Sequence, residues 1–226
     1  FDPAKLGLFC AADVSTRYKD RQQSLEAIAR YLHAMAAGQK GNYIVFFPSY
    51  SYLAQVHEVF CRLFPETKTL VQGSGMVETA REAFLARFAP GAALLGFGVL
   101  GGVFGEGVDL VGQRLIGAAI VGVGLPQVGP RQEMLRRYFE QTRGDGFDYA
   151  YRFPGFNKVL QAAGRVIRTA EDKGVVLLID DRFAAAGYRQ LFPEHWRNCR
   201  YLYGAEELAE QLSAFSCLHF DHYGFS

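Results

Sequence analysis

The sequence predicts an α/β domain, a mainly parallel sheet with helices on both faces, and three observations carry that expectation. Short apolar runs alternate with amphipathic helical stretches along nearly the whole chain, the order that builds strand–helix–strand units. Two of those runs, Tyr43 to Phe47 and Val175 to Ile179, are continuously apolar, as strands buried on both faces are. Half of the 226 residues are hydrophobic and 14% are aromatic, so an extensive core is available and a disordered chain is excluded.

In chain order, Leu6 to Ala12 reads as a strand, with Asp13, Ser15 and Thr16 as turn or cap residues behind it. Leu25, Ile28, Ala29, Leu32 and Ala36 share one face of a helix between Arg21 and Ala37, and Gly38 ends it. Asn42 opens a second strand, Tyr43 to Phe47. After Pro48, Ser49-Tyr50-Ser51 heads a helix built on Leu53, Val56, Phe60 and Leu63 and stopped by Pro65. Thr67 to Gln72 reads as a third strand and Gly73-Ser74-Gly75 as a turn. Val77, Ala80, Phe84, Leu85 and Phe88 form the expected core face of the next helix.

A fourth strand begins over Ala92 to Leu95, and a fifth spans Ile116 to Val123. The pattern from Arg131 to Glu140 predicts a helix with Met134, Leu135, Tyr138 and Phe139 inward. A looser aromatic stretch from Phe147 leads to a helix opening at Phe156. A strand follows from Gly174 to Ile179, then a short aromatic segment from Tyr188 to Trp196. The last helix runs from Glu206 to Phe215, with Leu208, Leu212 and Phe215 buried. No linker or repeat divides the chain, so residues 1–226 read as one domain.

Gly96-Phe-Gly98-Val-Leu-Gly101 matches the dinucleotide fingerprint G-x-G-x-x-G literally, yet that fingerprint needs a helix to start within its glycines. Here more glycines follow at 102, 105 and 107, so a dinucleotide site is set aside as a rival that a bound dinucleotide would revive. The net charge of +1 argues against a broadly basic nucleic-acid coat and leaves room for a local groove. Cysteines 10, 61, 199 and 217 have neither close pairing nor C-x-x-C spacing, which predicts reduced thiols in a cytoplasmic protein. The tail Cys217-Leu-His219-Phe-Asp221-His222 carries four potential metal ligands, but as a terminal tail it is not counted as a metal site. No targeting segment or membrane-spanning run appears. The start at Phe1, without methionine, suggests a piece of a longer polypeptide.

The most informative stretch runs from Phe156 to Ile179. Phe156, Val159, Leu160, Ala163 and Ile167 share a buried face, while Gln161, Gly164, Arg165 and Arg168 repeat the same spacing on a second stripe. A mid-helix glycine costs about 1 kcal/mol relative to alanine, so Gly164 beside Arg165 suggests a close approach by something at this turn. Arginine suits a phosphate because its planar fork donates bidentately and stays charged. An amphipathic helix with a solvated basic side is the alternative. Likewise Ser49 is a good helix cap, but a helix N-terminus with hydroxyls and an aromatic also suits a phosphate and a stacked base.

Gln161-Ala-Ala-Gly164-Arg165-Val-Ile-Arg168, Asp172-Lys-Gly174 and Asp180-Asp-Arg182-Phe183 together resemble the last helicase motif of the XPD/DinG branch of superfamily 2 helicases. Val45-Phe-Phe-Pro-Ser49-Tyr50 resembles the fourth motif of that family, and Gly105-Glu106-Gly107-Val-Asp109-Leu110 the fifth; Leu110 leans toward the DinG side. The resemblance covers about residues 5 to 200 and implies a three-layer RecA-like domain, the second of two motor domains. It further implies Arg165 and Arg168 as arginine fingers on the γ-phosphate of ATP, with Gln161 positioning the nucleotide. Glu106, Gly107, Asp109 and Gly164 would couple ATP to DNA, and Ser49, Tyr50 and Ser74 would line the single-stranded DNA path.

ATP and Mg2+ would then be held mainly by an N-terminal RecA-like domain of the same polypeptide, which in this branch usually carries an iron-sulfur cluster. No Gly-Lys dipeptide and no Asp-Glu box occur in this chain, so it has no phosphate loop and cannot be a complete ATPase. Because all three motifs neighbour strands, they are expected at one functional edge of the sheet. A non-catalytic nucleic-acid-binding α/β module remains the alternative.

Overall fold

The computed structural model describes residues 2–101, 110, 112–166 and 172–219. Among them, seven strands form one sheet: β1 (Leu6–Ala11), β2 (Tyr43–Phe47), β3 (Thr69–Val71), β4 (Leu95–Val99), β5 (Gly117–Val121), β6 (Gly174–Ile179) and β7 (Arg200–Leu202). Their spatial order is β3-β4-β2-β5-β6-β1-β7, and every pairing is parallel. Parallel pairing requires crossovers, and the helices supply them: α1 (Arg21–Gly38), α2 (Tyr50–Leu63), α3 (Glu78–Ala86), α4 (Pro130–Arg143), α5 (Phe153–Ala163), α6 (Ala186–Arg189) and α7 (Ala205–His219).

Side chains alternate along each strand, so the sheet feeds two cores. Phe9, Tyr43, Val45, Phe47, Val175 and Leu177 pack under α1, α2 and α7. Leu8, Ile44, Phe46, Ile120, Val176 and Leu178 pack under α3 and α5 with Phe183, Tyr188 and Trp196. Central strands β2, β5 and β6 are buried along their whole length, which is why their sequences read as unbroken apolar runs.

The fold corrects several expectations. Gly96 and Gly98 lie inside β4 and not in a turn after it, so they cannot cradle a pyrophosphate. Gly96 leaves room for the ring of the fully buried Phe88, which a Cβ would overlap. Val77 is exposed, because α3 begins one residue later and turns only Phe84, with Phe88 beyond its end, fully inward. Helix α4 buries none of its residues: Met134, Leu135 and Tyr138 are all exposed. The aromatic stretch before Phe156 is ordered, a π-helical turn over Asp148–Arg152 that runs directly into α5. Strand β7 has no counterpart among the expected elements.

Helix α5 starts against the loop that follows β5. A Cβ on Gly155 would lie 2.8 Å from the Val123 carbonyl oxygen and 3.0 Å from the Gly124 carbonyl carbon. Gly124 itself is left-handed, with φ +70°, and its own Cβ would lie 2.5 Å from the Gly155 oxygen. Backbone faces backbone, so neither side can yield. Gly155→Ala is therefore expected to destabilise the domain by about 1–3 kcal/mol, the usual cost of overpacking. A lowered urea midpoint with unchanged slope would register it, and an unchanged midpoint would contradict the contact.

Candidate functional site

Helix α5 carries its functional stripe away from the end where it starts. After Ala163 the turn tightens, with Arg165 N–H donating to the Ala162 carbonyl at 3.2 Å and Val166 N–H to Ala163 at 3.1 Å. Val166 then packs over Gly174, the first residue of β6, at a spot where a Cβ would overlap its side chain. Since Gly155 sits beyond the end of β5 and Val166 at the start of β6, α5 crosses the sheet from its C-terminal to its N-terminal edge. Gln161 and Gly164 are exposed there and Arg165 is half-buried beside them. Gly164 has φ −65°, so its backbone makes no demand for glycine. A Cβ there would lie 3.3 Å from the Leu160 carbonyl oxygen and would cover part of the exposed turn before Arg165.

Ser49, Tyr50 and Ser74 lie at the opposite, C-terminal edge. Ser49 caps α2, its hydroxyl accepting from Tyr52 N–H at 3.3 Å. The Tyr50 hydroxyl accepts from Gln72 Nε2 at 2.9 Å, and Gln72 Oε1 accepts from Val99 N–H at 2.8 Å. Buried Gln72 thus ties the end of β3 and the end of β4 to the first turn of α2. Its amide reaches Val99 past Gly98, whose absent Cβ would stand 3.2 Å from Oε1. Ser74 follows two residues later, exposed in the turn. The expectation of one functional edge is therefore corrected: Ser49, Tyr50 and Ser74 share one edge, and Gln161, Gly164 and Arg165 share the other. Glu106, Gly107, Asp109 and Arg168, like the tail beyond 219, lie outside the described residues.

The same C-terminal edge holds a charged cluster that the sequence reading had placed only within a motif. Asp180, at the end of β6, is completely buried. Its carboxylate accepts from Arg182 Nε at 2.7 Å, Arg182 Nη2 at 2.8 Å, Arg182 N–H at 2.9 Å, Thr16 N–H at 3.3 Å and the Thr16 hydroxyl. Burial opposes ionisation of Asp180, but the Arg182 fork, its charge and the Thr16 hydroxyl outweigh it, so the carboxyl sits below its ordinary 3.8. Asp181 holds Arg17 at 2.6 Å. These contacts fasten the loop after β1 to the loop after β6. A polar pair at the ends of two adjacent apolar strands was the available signal.

Two of the thiols are unreactive. Burial pushes the Cys199 thiol up to about 12 and Cys10 further, so neither is a nucleophile. Among the described residues no cluster of three His, Cys, Asp or Glu side chains is placed to hold a metal ion, and no helix is long and apolar enough to cross a membrane.

Two solved structures named XPD_APO and XPD_Helicase superpose on this chain with TM-scores of 0.70 and 0.69, at 21% and 23% identity. Each covers 87% of this chain, which in turn covers 40% and 35% of theirs. They define the class, a RecA-like α/β domain. The profile of the helicase C-terminal domain family matches residues 32–199. Probable ATP-dependent helicase MJ0942 of Methanocaldococcus jannaschii is 29% identical over 76% of this chain and 28% of its own length. ATP-dependent DNA helicase YoaA of Escherichia coli is 28% identical over 85% of this chain and 29% of its own. The 3'-5' exonuclease DinG of Bacillus subtilis is 30% identical over 74% of this chain and 18% of its own. The chain belongs to the helicase C-terminal domain family, in the XPD/DinG branch of superfamily 2. It spans under a third of the length of these curated relatives.

Asp180→Asn would leave Arg182 partly buried without its counter-charge and is expected to cost about 3–5 kcal/mol. The sign with pH follows from the lowered carboxyl: its stabilisation is complete above the unfolded value near 3.8 and is lost as pH falls through the lower folded value. Denaturation curves across the acid range should show that loss in the parent and not in the Asn variant; parallel curves would contradict it.

Proposed function

We propose that this chain is the second motor domain of an ATP-dependent DNA helicase. ATP with its Mg2+ is bound on a separate phosphate-loop domain of the same polypeptide, the domain that in this branch also carries any iron-sulfur cluster. Arg165 and Arg168 reach its γ-phosphate as arginine fingers, and Gln161 donates beside them. Single-stranded DNA runs along the opposite edge over Ser49, Tyr50 and Ser74, and Glu106, Gly107 and Asp109 link the two. Closure of the domains around ATP and reopening after hydrolysis then step the strand, with 5′ to 3′ polarity as the family resemblance implies.

The observation that carries this reading is the grouping of exposed Gln161 and Gly164 with half-buried Arg165 at the end of α5. A guanidinium and an amide beside a bare glycine form a donor surface that a polyphosphate can approach closely, and the chain has no phosphate loop of its own to hold one. Family membership supports the same assignment. Separation of the two residue groups to opposite edges fits a motor, since the nucleotide and the strand need not compete for one surface.

In the full-length polypeptide, Arg165→Ala is expected to lower DNA-stimulated ATP turnover by about 10³- to 10⁵-fold, the usual worth of an arginine finger, while nucleotide affinity changes only a few-fold. Normal turnover would overturn the assignment. Gly164→Ala separates function from folding: stability should stay within about 1 kcal/mol, while turnover falls if the phosphate needs that space.

A further inference from the structure

Tyr18 is 87% exposed, more than any other large hydrophobic residue described. A single exposed aromatic is ordinary on a protein surface, but this one is held in place from below. The loop that carries it hangs from buried Asp180 through Thr16, and Arg17 is pinned to Asp181 at 2.6 Å and to the Ser15 hydroxyl at 3.1 Å. Ser15 donates to Asp20 at 2.6 Å, closing the turn over Tyr18–Asp20. Arg21 donates to the Thr16 carbonyl at 3.3 Å, and its guanidinium lies 5.6 Å from the Tyr18 ring centroid and 4.7 Å from that of Tyr52.

Two consequences follow. First, the turn that carries the ring is fixed before any ligand arrives, so little backbone entropy remains to be lost on binding. Second, Arg21 lies 4.7 Å from the ring centroid of buried Tyr52, two residues after Tyr50, which places the loop after β1 beside the first turn of α2. The stretch from Ser15 to Arg21 carries three basic residues against one acid. Among the described residues neither Lys19 nor Arg21 has a carboxylate within ion-pair distance, which leaves both charges for phosphates.

We propose that Tyr18 is a stacking platform for a base of single-stranded DNA, braced by Arg21 and flanked by Lys19, which extends the nucleic-acid track from the start of α2 to the loop after β1. This rests on the reading of the C-terminal edge as the DNA side. Stacking on an aromatic ring is tolerant of sequence because every base has a π-face, and the guanidinium under the ring adds to its electrostatic grip on a phosphate-bearing strand.

The test uses the full-length polypeptide and fluorescein-labelled oligothymidine. Tyr18→Ala is expected to weaken binding by about 5- to 150-fold, and Tyr18→Phe, which keeps the ring, by less than about twofold. Ultraviolet crosslinking to an oligonucleotide carrying 5-iododeoxyuridine should label the peptide that contains Tyr18. Binding by Tyr18→Ala within twofold of the parent would overturn the proposal. If Tyr50→Ala weakens binding and Tyr18→Ala does not, the edge binds DNA and Tyr18 is no part of it. If the unmodified protein fails to bind oligothymidine, the DNA reading of the edge falls and this proposal with it. Should Tyr18→Ala fail to fold, crosslinking of the unmodified protein decides: label on the Tyr18 peptide supports the platform, and label elsewhere only refutes it.

Discussion

The arrangement depends on one contact without side chains, the meeting of Gly155 with Gly124. It lets the first turn of α5 lie directly on the loop after β5. From there the helix covers its eleven residues, about 16 Å at 1.5 Å each, to the far edge of the sheet. Val166 over Gly174 fixes that far end in the same manner, by an absent side chain. A rod clamped at both ends transmits a displacement of one edge to the other, because packed interiors have little slack to absorb it. On the proposed reading, in which nucleotide and strand occupy opposite edges, such a rod would be a mechanical path between them.

The C-terminal edge is organised by a different physical means. Asp180 and Arg182 gain little net stability from their pairing, since burying the charges offsets much of their attraction. Their effect is positional: the carboxylate collects donors from the loop after β1 and the loop after β6 and fixes one against the other. Gln72 does the same with neutral groups at the other end of that edge, joining β3, β4 and Tyr50. Polar side chains placed at the ends of buried strands thus fix two groups of segments along this edge, the loops after β1 and β6 and the ends of β3 and β4 with the start of α2.

Much of the fold was legible because parallel strands buried on both faces leave a simple imprint, and β2 and β6 fall on the boundaries their apolar runs suggested. Helix α4 was legible as a helix and misjudged in its packing, since periodicity reveals an apolar stripe and not what covers it. Strand β7 has three residues, of which Arg200 is exposed, too few to make a pattern. Gln72 and Thr16 act singly, and a single polar residue has no period. The grouping of motifs at one edge failed for a topological reason: residues just after a strand sit at its C-terminal end, whereas a helix running back across the sheet delivers residues just before the next strand to the other end.

The most direct test of the central claim, that this domain completes a nucleotide site held by another, is ATP hydrolysis with and without single-stranded DNA, by this chain alone and by the full-length polypeptide. The account predicts no turnover from the chain alone and DNA-stimulated turnover from the full-length protein. Hydrolysis by the chain alone would contradict it and require a complete nucleotide site among these residues.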